Sequence, residues 1–302
     1  MKNYNHEILP KFALLLTTYN GEKYIHDQLL SIESQINVEI DIYIYDDKST
    51  DSTISIIKNY NLPNLKILKI NKERIGNAGK NFFSMMQEIN FSKYDYVCFS
   101  DQDDIWKENK LFEGVNNLRN NNCYGYSSDV IYMMSNGLLR KANKKNIKFN
   151  YGHIFECISN GNTFILEKNK FLQFKLFWFK NFDLNKYKHI SHEWLIYVYF
   201  IENKLGWFHD ENSFIFYRQH SNNVLGSRLG FFNKIKRLNL LLSGWYWEEV
   251  NMNLEIIQKL KIQKNLNLFK IIIKNLLKLR RNSLESLIIS SYLLIKIFFI
   301  NK

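Results

Sequence analysis

Residues 99–110 read FSDQDDIWKENK and follow a β-rich apolar run, YDYVC, at 94–98. Three carboxylates, Asp101, Asp103 and Asp104, therefore come where a buried strand is predicted to end. In open α/β sheets, ligands bind in the crevice outside the carboxyl ends of the strands. Carboxylates this close repel one another unless a cation lies between them, and a hard divalent ion that also coordinates a diphosphate would suit them. An acidic surface turn is the alternative, but the apolar run before the acids and the IW pair after them favour a binding site.

The length and composition of the chain limit which classes of protein it can belong to. The 302 residues carry a formal net charge of +12, which indicates an anionic partner such as nucleic acid, an anionic membrane or a phosphorylated ligand. A hydrophobic share of 46% is typical of a globular chain rather than a disordered one. Three cysteines without CxxC spacing argue against a disulfide framework or a zinc site and fit a reducing cytoplasm. We find no signal peptide, no internal repeat and no apolar run of the roughly 20 residues that a spanning helix needs.

Strand and helix patterns alternate in the first hundred residues, which predicts a parallel, doubly wound sheet. An apolar strand at 12–16 breaks into the polar turn TTYNG, and a second strand ends at Asp47. The turn would present N–H groups and hydroxyls to a ligand, although capping by Thr18 or Asn20 explains it equally well. Asp47 could accept a hydrogen bond from a ring N–H of a pyrimidine, whereas Asp51 is interpreted as a helix cap.

A third strand is predicted at 65–70 and leads into NKERIGNAGKNFF. Gly76 and Gly79 allow close backbone approach, and Arg74 and Lys80 bring positive charge. Glycines alone are weak evidence, but glycines beside two cations after a parallel strand indicate a phosphate neighbour.

The region from 130 to 230 supplies two further candidates. Glu193, in HEWL, opens an apolar helix that ends near Gly206. It is either a plain N-terminal acid, which the helix dipole favours, or a catalytic carboxylate that faces a cavity. Strands are predicted at 130–134 and 213–217, and YRQHSNNVLGS follows with His220. A lone histidine is usually not a ligand, so the residues by themselves leave the role of His220 open.

The tail of the chain changes to long amphipathic helices. Residues 234–302 hold 13 Lys and Arg against four acids, so they carry +9 of the net charge. Lys270, Lys274 and Lys278 recur every four residues of one predicted helix, with Arg281 beyond them. This pattern predicts a helix that lies flat on an anionic membrane. Packing of the same face on the rest of the protein or on a second subunit is the alternative.

A set of motifs resembles the family-2 glycosyltransferases and follows that family's order. The motifs are TTYNGEKYIHDQLLSI, YDDKSTDST, GKNFF, FSDQDDIWKENKL, GNTF, HEWL and YRQHSNNVLGS. The resemblance covers about residues 10–230 and is strongest to the bacterial rhamnosyltransferase-like branch, which builds rhamnan, capsule and O-antigen chains. It implies a GT-A fold. Residues 1–228 are thus predicted to form a GT-A α/β domain with a doubly wound, mostly parallel sheet, and 229–302 a C-terminal basic amphipathic helical region.

The resemblance also implies a reaction and its residues: an inverting single displacement from a nucleoside-diphosphate sugar, with Mn²⁺ or Mg²⁺. The implied nucleotide-sugar site comprises Thr18, Tyr19, Asn20, Asp47, Lys80, Asp101 and Gln102. In it, Asp47 would hold the base and Asp101 would lie near the ribose. The implied metal ligands are Asp103, Asp101 and His220. Glu193 stands where the branch has the Asp of an H-D-W motif, so it inherits the role of general base with a side chain one methylene longer.

The implied partners are a nucleoside-diphosphate sugar, with dTDP-L-rhamnose favoured by the branch, and a lipid-linked or polysaccharide acceptor at an anionic membrane surface. The protein would be cytoplasmic and would lie peripherally at the inner face of the plasma membrane. It would bind no nucleic acid, and it could form a homo-oligomer. A nucleotidyltransferase on a similar sheet is discounted because TTYNGEKY is not a glycine-rich loop with Arg and Lys. A nucleic-acid-binding protein is discounted because most of the positive charge lies in the tail.

Overall fold

The computed structural model describes residues 8–60, 62–142, 149–220, 239, 243–260 and 267–300. The domain boundary predicted at residues 228 and 229 lies outside these ranges, as does the SNNVLGS part of the last motif.

The first hundred residues form the predicted alternation of strands and helices. The elements are β1 Lys11–Thr18, α1 Ile25–Glu33, β2 Glu39–Asp46, α2 Thr53–Asn59, β3 Leu65–Ile70, α3 Ala78–Glu88 and β4 Tyr96–Ser100. β1 pairs in parallel with both β2 and β4, and β2 pairs in parallel with β3. Since β2 and β3 lie on one side of β1 and β4 on the other, the carboxyl ends of β1 and β4 flank a topological switch point.

The sheet continues with mixed strand directions. The elements are β5 Ile105–Trp106, α4 Lys110–Asn120, β6 Gly125–Met133, β7 Leu139–Lys141, α5 Gly152–Phe155, β8 Ile165–Glu167, α6 Lys168–Asn181, α7 His192–Glu202 and β9 Trp207–Arg218. β8 lies antiparallel between β4 and β6. β9 is parallel to β6 and antiparallel to the short β5. The predicted α/β class is confirmed, and this second half adds antiparallel pairs to the parallel core.

Apolar layers cover both faces of the sheet. Alternate residues of β1 enter opposite layers, with Phe12 and Leu14 in one and Ala13 and Leu15 in the other. All four side chains are fully buried, as expected for a parallel strand between two helical layers. A slip of one residue would exchange the two faces, so this burial fixes where β1 ends and where its polar turn begins.

Three C-terminal helices pack on this domain: α8 Trp245–Lys259, α9 Leu268–Lys274 and α10 Ser283–Ile300. α8 lies against α7 and α5. The Tyr246 hydroxyl donates to the Phe155 carbonyl at 2.6 Å, and Asn253 Nδ2 donates to the Ile154 carbonyl at 3.1 Å. The buried side chains of the three helices join the core around α3 and α7, so the tail is joined to the sheet domain by a common core.

Arg281 is not part of an exposed basic face, contrary to the pattern of the sequence. Its side chain is only 7% exposed, and its Nη1 lies 3.2 Å from Glu156 Oε1. Arg280 Nη2 lies 3.3 Å from the same oxygen. Glu156 is buried, and a buried carboxylate left without cations would be strongly destabilising. Both arginines therefore anchor the C-terminal helices to the domain.

The predicted helix through the three lysines is interrupted. α9 ends at Lys274, Asn275 caps it, and Lys278 lies in the turn that follows. All three lysines are nevertheless exposed. Beside them lies a C-terminal apolar face, defined here as Phe269, Ile273, Ile295, Phe298 and Phe299. Across the ranges described, we find no helix with both the length and the apolarity to cross a bilayer.

Candidate active site

Tyr19 and Gln102 join the two loops at the switch point. The Tyr19 N–H donates to Gln102 Oε1 at 2.8 Å, and Gln102 Nε2 donates to the Tyr19 carbonyl at 2.9 Å. A Cβ atom on Gly21 would collide with the Gln102 amide, so glycine at this position leaves room for the two hydrogen bonds. The amide of Gln102 is thus used to align the loops after β1 and β4.

Thr18 and Asn20 join the turn after β1 to the loop after β2. Thr18 Oγ1 donates to the buried Asp46 carboxylate at 2.7 Å, and Asp46 also accepts the Ser49 N–H at 2.7 Å. Asn20 Oδ1 accepts the Thr50 N–H at 2.8 Å. Neither side chain caps α1, whose N-cap residue is Tyr24, so the capping alternative is wrong and both side chains instead hold the loops after β1 and β2 together.

Asp47 directly follows β2, and its carboxylate accepts hydrogen bonds from the loop after β3. Its Oδ1 accepts the Ile75 N–H at 2.7 Å, and its Oδ2 accepts the Gly76 N–H at 2.8 Å. Arg74 of the same loop lies over the Tyr19 ring, with Cζ 3.7 Å from the ring centroid. A pyrimidine N–H bound by Asp47 would compete with these backbone donors.

His220 meets the acidic loop after β4 from 117 residues away in sequence. Its Nε2 lies 2.8 Å from Asp103 Oδ2, and its ring stacks on Tyr24 with the centroids 5.0 Å apart. Burial, followed by the charges of Asp103 and Glu193, raises the pKa of Asp101 to about 7. Two of the predicted metal ligands, Asp103 and His220, are therefore in contact. The third, Asp101, lies close enough for the charge of Asp103 to raise its pKa.

Within the described part of the chain, no group of three His, Cys, Asp or Glu side chains is arranged as a metal site. The chemistry of the donor set nevertheless fits a hard divalent cation, because carboxylate oxygens are its preferred ligands. Burial is the main cause of the raised pKa of Asp101, the charges of Asp103 and Glu193 add to it, and a cation would relieve this electrostatic part. Asp101, Asp103 and His220 are the residues that would hold Mn²⁺ or Mg²⁺.

Asp104 has a structural role in the site, because its carboxylate links the acidic loop to two other segments. Its Oδ1 accepts the Arg218 N–H at 3.2 Å, and its other oxygen accepts a hydrogen bond from Asn162 Nδ2. Burial, with the charges of Asp103 and Asp101, raises its pKa well above the usual range. Because Arg218 ends β9, this contact positions the segment that carries His220.

Glu193 lies in the first turn of α7, in the electrostatic range of the acidic loop. Its side chain is 22% exposed, and His192 Nδ1 lies 3.1 Å from its Oε2. Its charge contributes to the raised pKa of Asp101. Glu193 thus lies close enough to the acidic loop to influence Asp101, and its catalytic role stays a prediction.

The sequence interpretation missed a second acid behind Glu193. Glu249 of α8 is fully buried and accepts a hydrogen bond from Ser191 Oγ at 2.9 Å. Burial first, and the charge of Glu193 among the further causes, raises the pKa of Glu249 to about 8, which favours the neutral acid near pH 7. No motif signals this residue, since it is one acid in an amphipathic helix far along the chain.

Lys80 lies in the first turn of α3. Its backbone N–H is capped by Asn77 Oδ1 at 2.8 Å in the first turn of α3. Its charge contributes to the lowered pKa of His189, for which burial is the main cause. Lys80 therefore lies within electrostatic range of His189, in the loop before α7.

Comparison with known proteins gives a family and a fold. Residues 14–182 match the sequence model of the family described as Glycosyl transferase family 2. The dTDP-rhamnosyl transferase RfbG of Shigella flexneri is 35% identical over 292 residues, which cover 94% of this chain and 100% of that protein.

Two solved structures share the fold. S. aureus TarS 1–349 in complex with UDP-GlcNAc aligns with a TM-score of 0.53 at 18% identity, over 83% of this chain and 72% of that chain. The mannosyltransferase PcManGT from Pyrobaculum calidifontis, in complex with GDP-Man and Mn²⁺, aligns with a TM-score of 0.51 at 13% identity, over 84% and 73% of the two chains. At such identities these two structures support the fold alone.

Proposed function

This chain belongs to glycosyl transferase family 2, and we propose that it transfers L-rhamnose from dTDP-L-rhamnose to a glycan during bacterial polysaccharide synthesis. The whole length of a dTDP-rhamnosyl transferase aligns with this chain at 35% identity, which supports both the donor and the nucleotide. The same alignment disfavours a nucleotidyltransferase or a nucleic-acid-binding protein.

One juxtaposition supports the chemical part of the proposal: His220 contacts Asp103, and Glu193 lies within electrostatic range of Asp101 in the same acidic loop. Asp101, Asp103 and His220 would hold Mn²⁺ or Mg²⁺. When bound, the ion supplies a Lewis acid that offsets the negative charge of the departing diphosphate. Tyr19 and Asp47 would bind the nucleobase, after the backbone donors at residues 75 and 76 give way.

Glu193 is proposed as the general base of an inverting displacement. Its carboxylate takes the proton of the acceptor hydroxyl as the acceptor oxygen attacks the anomeric carbon. The bond from that carbon to the diphosphate oxygen breaks in the same step, and dTDP leaves. A single displacement inverts the anomeric carbon and needs no carboxylate nucleophile.

The donor assignment predicts a preference in hydrolysis without acceptor. We expect dTDP-L-rhamnose to release its nucleoside diphosphate at least about tenfold faster than UDP-GlcNAc, UDP-glucose or GDP-mannose, because unpaired polar groups in the sugar pocket penalise a wrong sugar. The measurement is an assay of nucleoside-diphosphate release in the presence of Mn²⁺, Mg²⁺ or EDTA. If UDP-GlcNAc released its nucleoside diphosphate fastest, the protein would still be a glycosyltransferase, but the assignment of rhamnose as the donor sugar would be wrong.

We further propose that the C-terminal apolar face rests on an anionic bilayer at the cytoplasmic side. Its large side chains are 47% to 68% exposed, which is uncommon for an apolar cluster on a soluble surface. Lys270, Lys274 and Lys278 lie exposed on the same segment and complement anionic head groups. An acceptor carried on a membrane lipid would make such contact useful.

Replacing these three lysines by Glu tests the membrane contact. Each cation near the surface contributes about 1 kcal/mol, so we expect vesicle binding to weaken by at least roughly 100-fold at low salt. Sedimentation with phosphatidylglycerol-containing vesicles measures this, and Lys58, Lys141 and Lys204, also exposed, form the matched control when changed to Glu. Wild-type protein that stays in the supernatant contradicts the proposal. If the variant with Glu at these three positions changes its oligomeric state, the C-terminal apolar face would instead be a contact with a second subunit.

A further inference from the structure

We propose that Glu249 of α8 is a positioning residue, which fixes the start of α7 and with it the place of Glu193. This inference rests on the proposed role of Glu193 as the general base. Glu249 needs no contact with the substrates for this role, because it acts through Ser191, the residue that precedes α7. The C-terminal helices would then contribute to catalysis as well as to the core.

Ser191 is the N-cap residue of α7, yet its side chain does not cap that helix. A serine at this position usually accepts a hydrogen bond from a backbone N–H of the first turn. Here the Ser191 hydroxyl instead donates to Glu249 Oε1 at 2.9 Å. The first turn of α7 contains Glu193, two residues after Ser191. The contact therefore joins α8 to the point at which the helix of the proposed base begins.

The turn of α8 that carries Glu249 is itself held by the domain. Glu249 is fully buried and lies between two other buried polar residues of α8, Tyr246 and Asn253. These two residues donate hydrogen bonds to the carbonyls of residues 155 and 154, at 2.6 Å and 3.1 Å. Positions three and four residues apart share one face of a helix. The contacts on either side of Glu249 therefore keep its carboxyl group at a fixed place beside Ser191.

The surroundings of Glu249 favour a neutral carboxyl group. Burial raises its pKa to about 8, and the charge of Glu193 adds to the rise, although hydrogen bonding from Ser191 opposes it. Oε1 accepts the Ser191 hydroxyl, and Oε2 has no hydrogen-bond partner among the residues that the structure describes. A neutral acid can accept this hydrogen bond without placing a second negative charge near the proposed base.

Two variants of Glu249 separate positioning from packing. Glu249→Gln keeps an oxygen that can accept the Ser191 hydroxyl, so kcat for rhamnosyl transfer should stay within about twofold of wild type. Glu249→Leu removes the acceptor, and we expect kcat to fall by roughly 10- to 100-fold, because misplacing a catalytic group by about 1 Å has that effect. The KM for dTDP-L-rhamnose should change by less than about twofold in both. Because Oε2 is buried without a partner, leucine should leave the melting temperature unchanged or raise it.

Ser191→Ala removes the same hydrogen bond from the other side. Its kcat should fall as in Glu249→Leu, and the double variant should lose no more than either alone, since both changes break one contact. The matched control is Glu255→Leu. Glu255 of α8 accepts the Tyr187 hydroxyl at 2.9 Å and so also joins α8 to the segment before α7. This control should keep kcat within about twofold of wild type.

A Glu193→Gln background tests whether the contact acts through the base. There, Glu249→Leu should cost less than about twofold in kcat, because no base remains to be placed. Equal losses in both backgrounds, an equal loss in Glu255→Leu, or wild-type kcat of Ser191→Ala would overturn the proposal. Near wild-type activity of Glu193→Gln by itself would refute the base assignment, which is a different failure. If thermal unfolding shows that Glu249→Leu does not fold, Ser191→Ala decides, because it removes only a partly exposed hydroxyl.

Discussion

Glu193→Gln is expected to lower the turnover of rhamnosyl transfer by roughly two to four orders of magnitude, the usual contribution of a general base. The substitution keeps the size and hydrogen-bonding reach of the side chain but removes its ability to take a proton. Glu193 lies at the start of α7 and not in the loops that would bind the nucleotide. The affinity for the nucleotide part of the donor should therefore stay within a few-fold of wild type. Calorimetry with dTDP measures this affinity.

A matched control is Glu211→Gln, an exposed acid on β9. It carries the same chemical change away from the site and should leave turnover unchanged. A loss below tenfold for Glu193→Gln would move the base elsewhere. Asp210 is then a poor candidate, because its carboxylate already accepts hydrogen bonds from Tyr126 and Asn117 in a buried position.

Asp103→Asn is expected to remove most activity by a different route. It weakens a ligand of the proposed cation and alters the contact with His220. If the cation stabilises the leaving diphosphate by several kcal/mol, turnover should fall by roughly 100- to 1,000-fold. Unlike the base variant, this one should also lose the dependence of dTDP binding on Mn²⁺ or Mg²⁺.

Asp183→Asn is the control for this change, since Asp183 is exposed and only caps a short turn through Asn185. Titration of dTDP into both variants, with Mn²⁺ and with excess EDTA, measures the effect. Full activity of the wild-type protein in excess EDTA would refute the requirement for a metal.

Two strands of the parallel half, β1 and β4, were predictable because they are buried on both faces and so appear as apolar runs. The third strand was predicted at 65–70, and β3 is Leu65–Ile70. Asp51 was predicted as a cap, and its Oδ1 accepts the Thr53 N–H at 3.0 Å. The resemblance to rhamnosyltransferase-like family-2 enzymes is confirmed by the alignment over 94% of the chain.

Features that depend on distant contacts were not predictable from local patterns. Arg281 appeared to continue a basic face, but Glu156 holds it across 125 residues. Glu249 approaches Glu193 only because α8 packs on α7. In each case the neighbour that decides the role lies far away in sequence, where periodicity carries no information.

The central claim is that the acids after β4 and Glu193 serve one reaction in separate roles. The most direct test compares dTDP affinity and rhamnosyl turnover for Glu193→Gln and Asp103→Asn side by side. We predict that Glu193→Gln keeps metal-dependent dTDP binding and loses turnover, whereas Asp103→Asn loses both. Loss of dTDP binding in Glu193→Gln, or unchanged metal-dependent binding in Asp103→Asn, would contradict this assignment of roles.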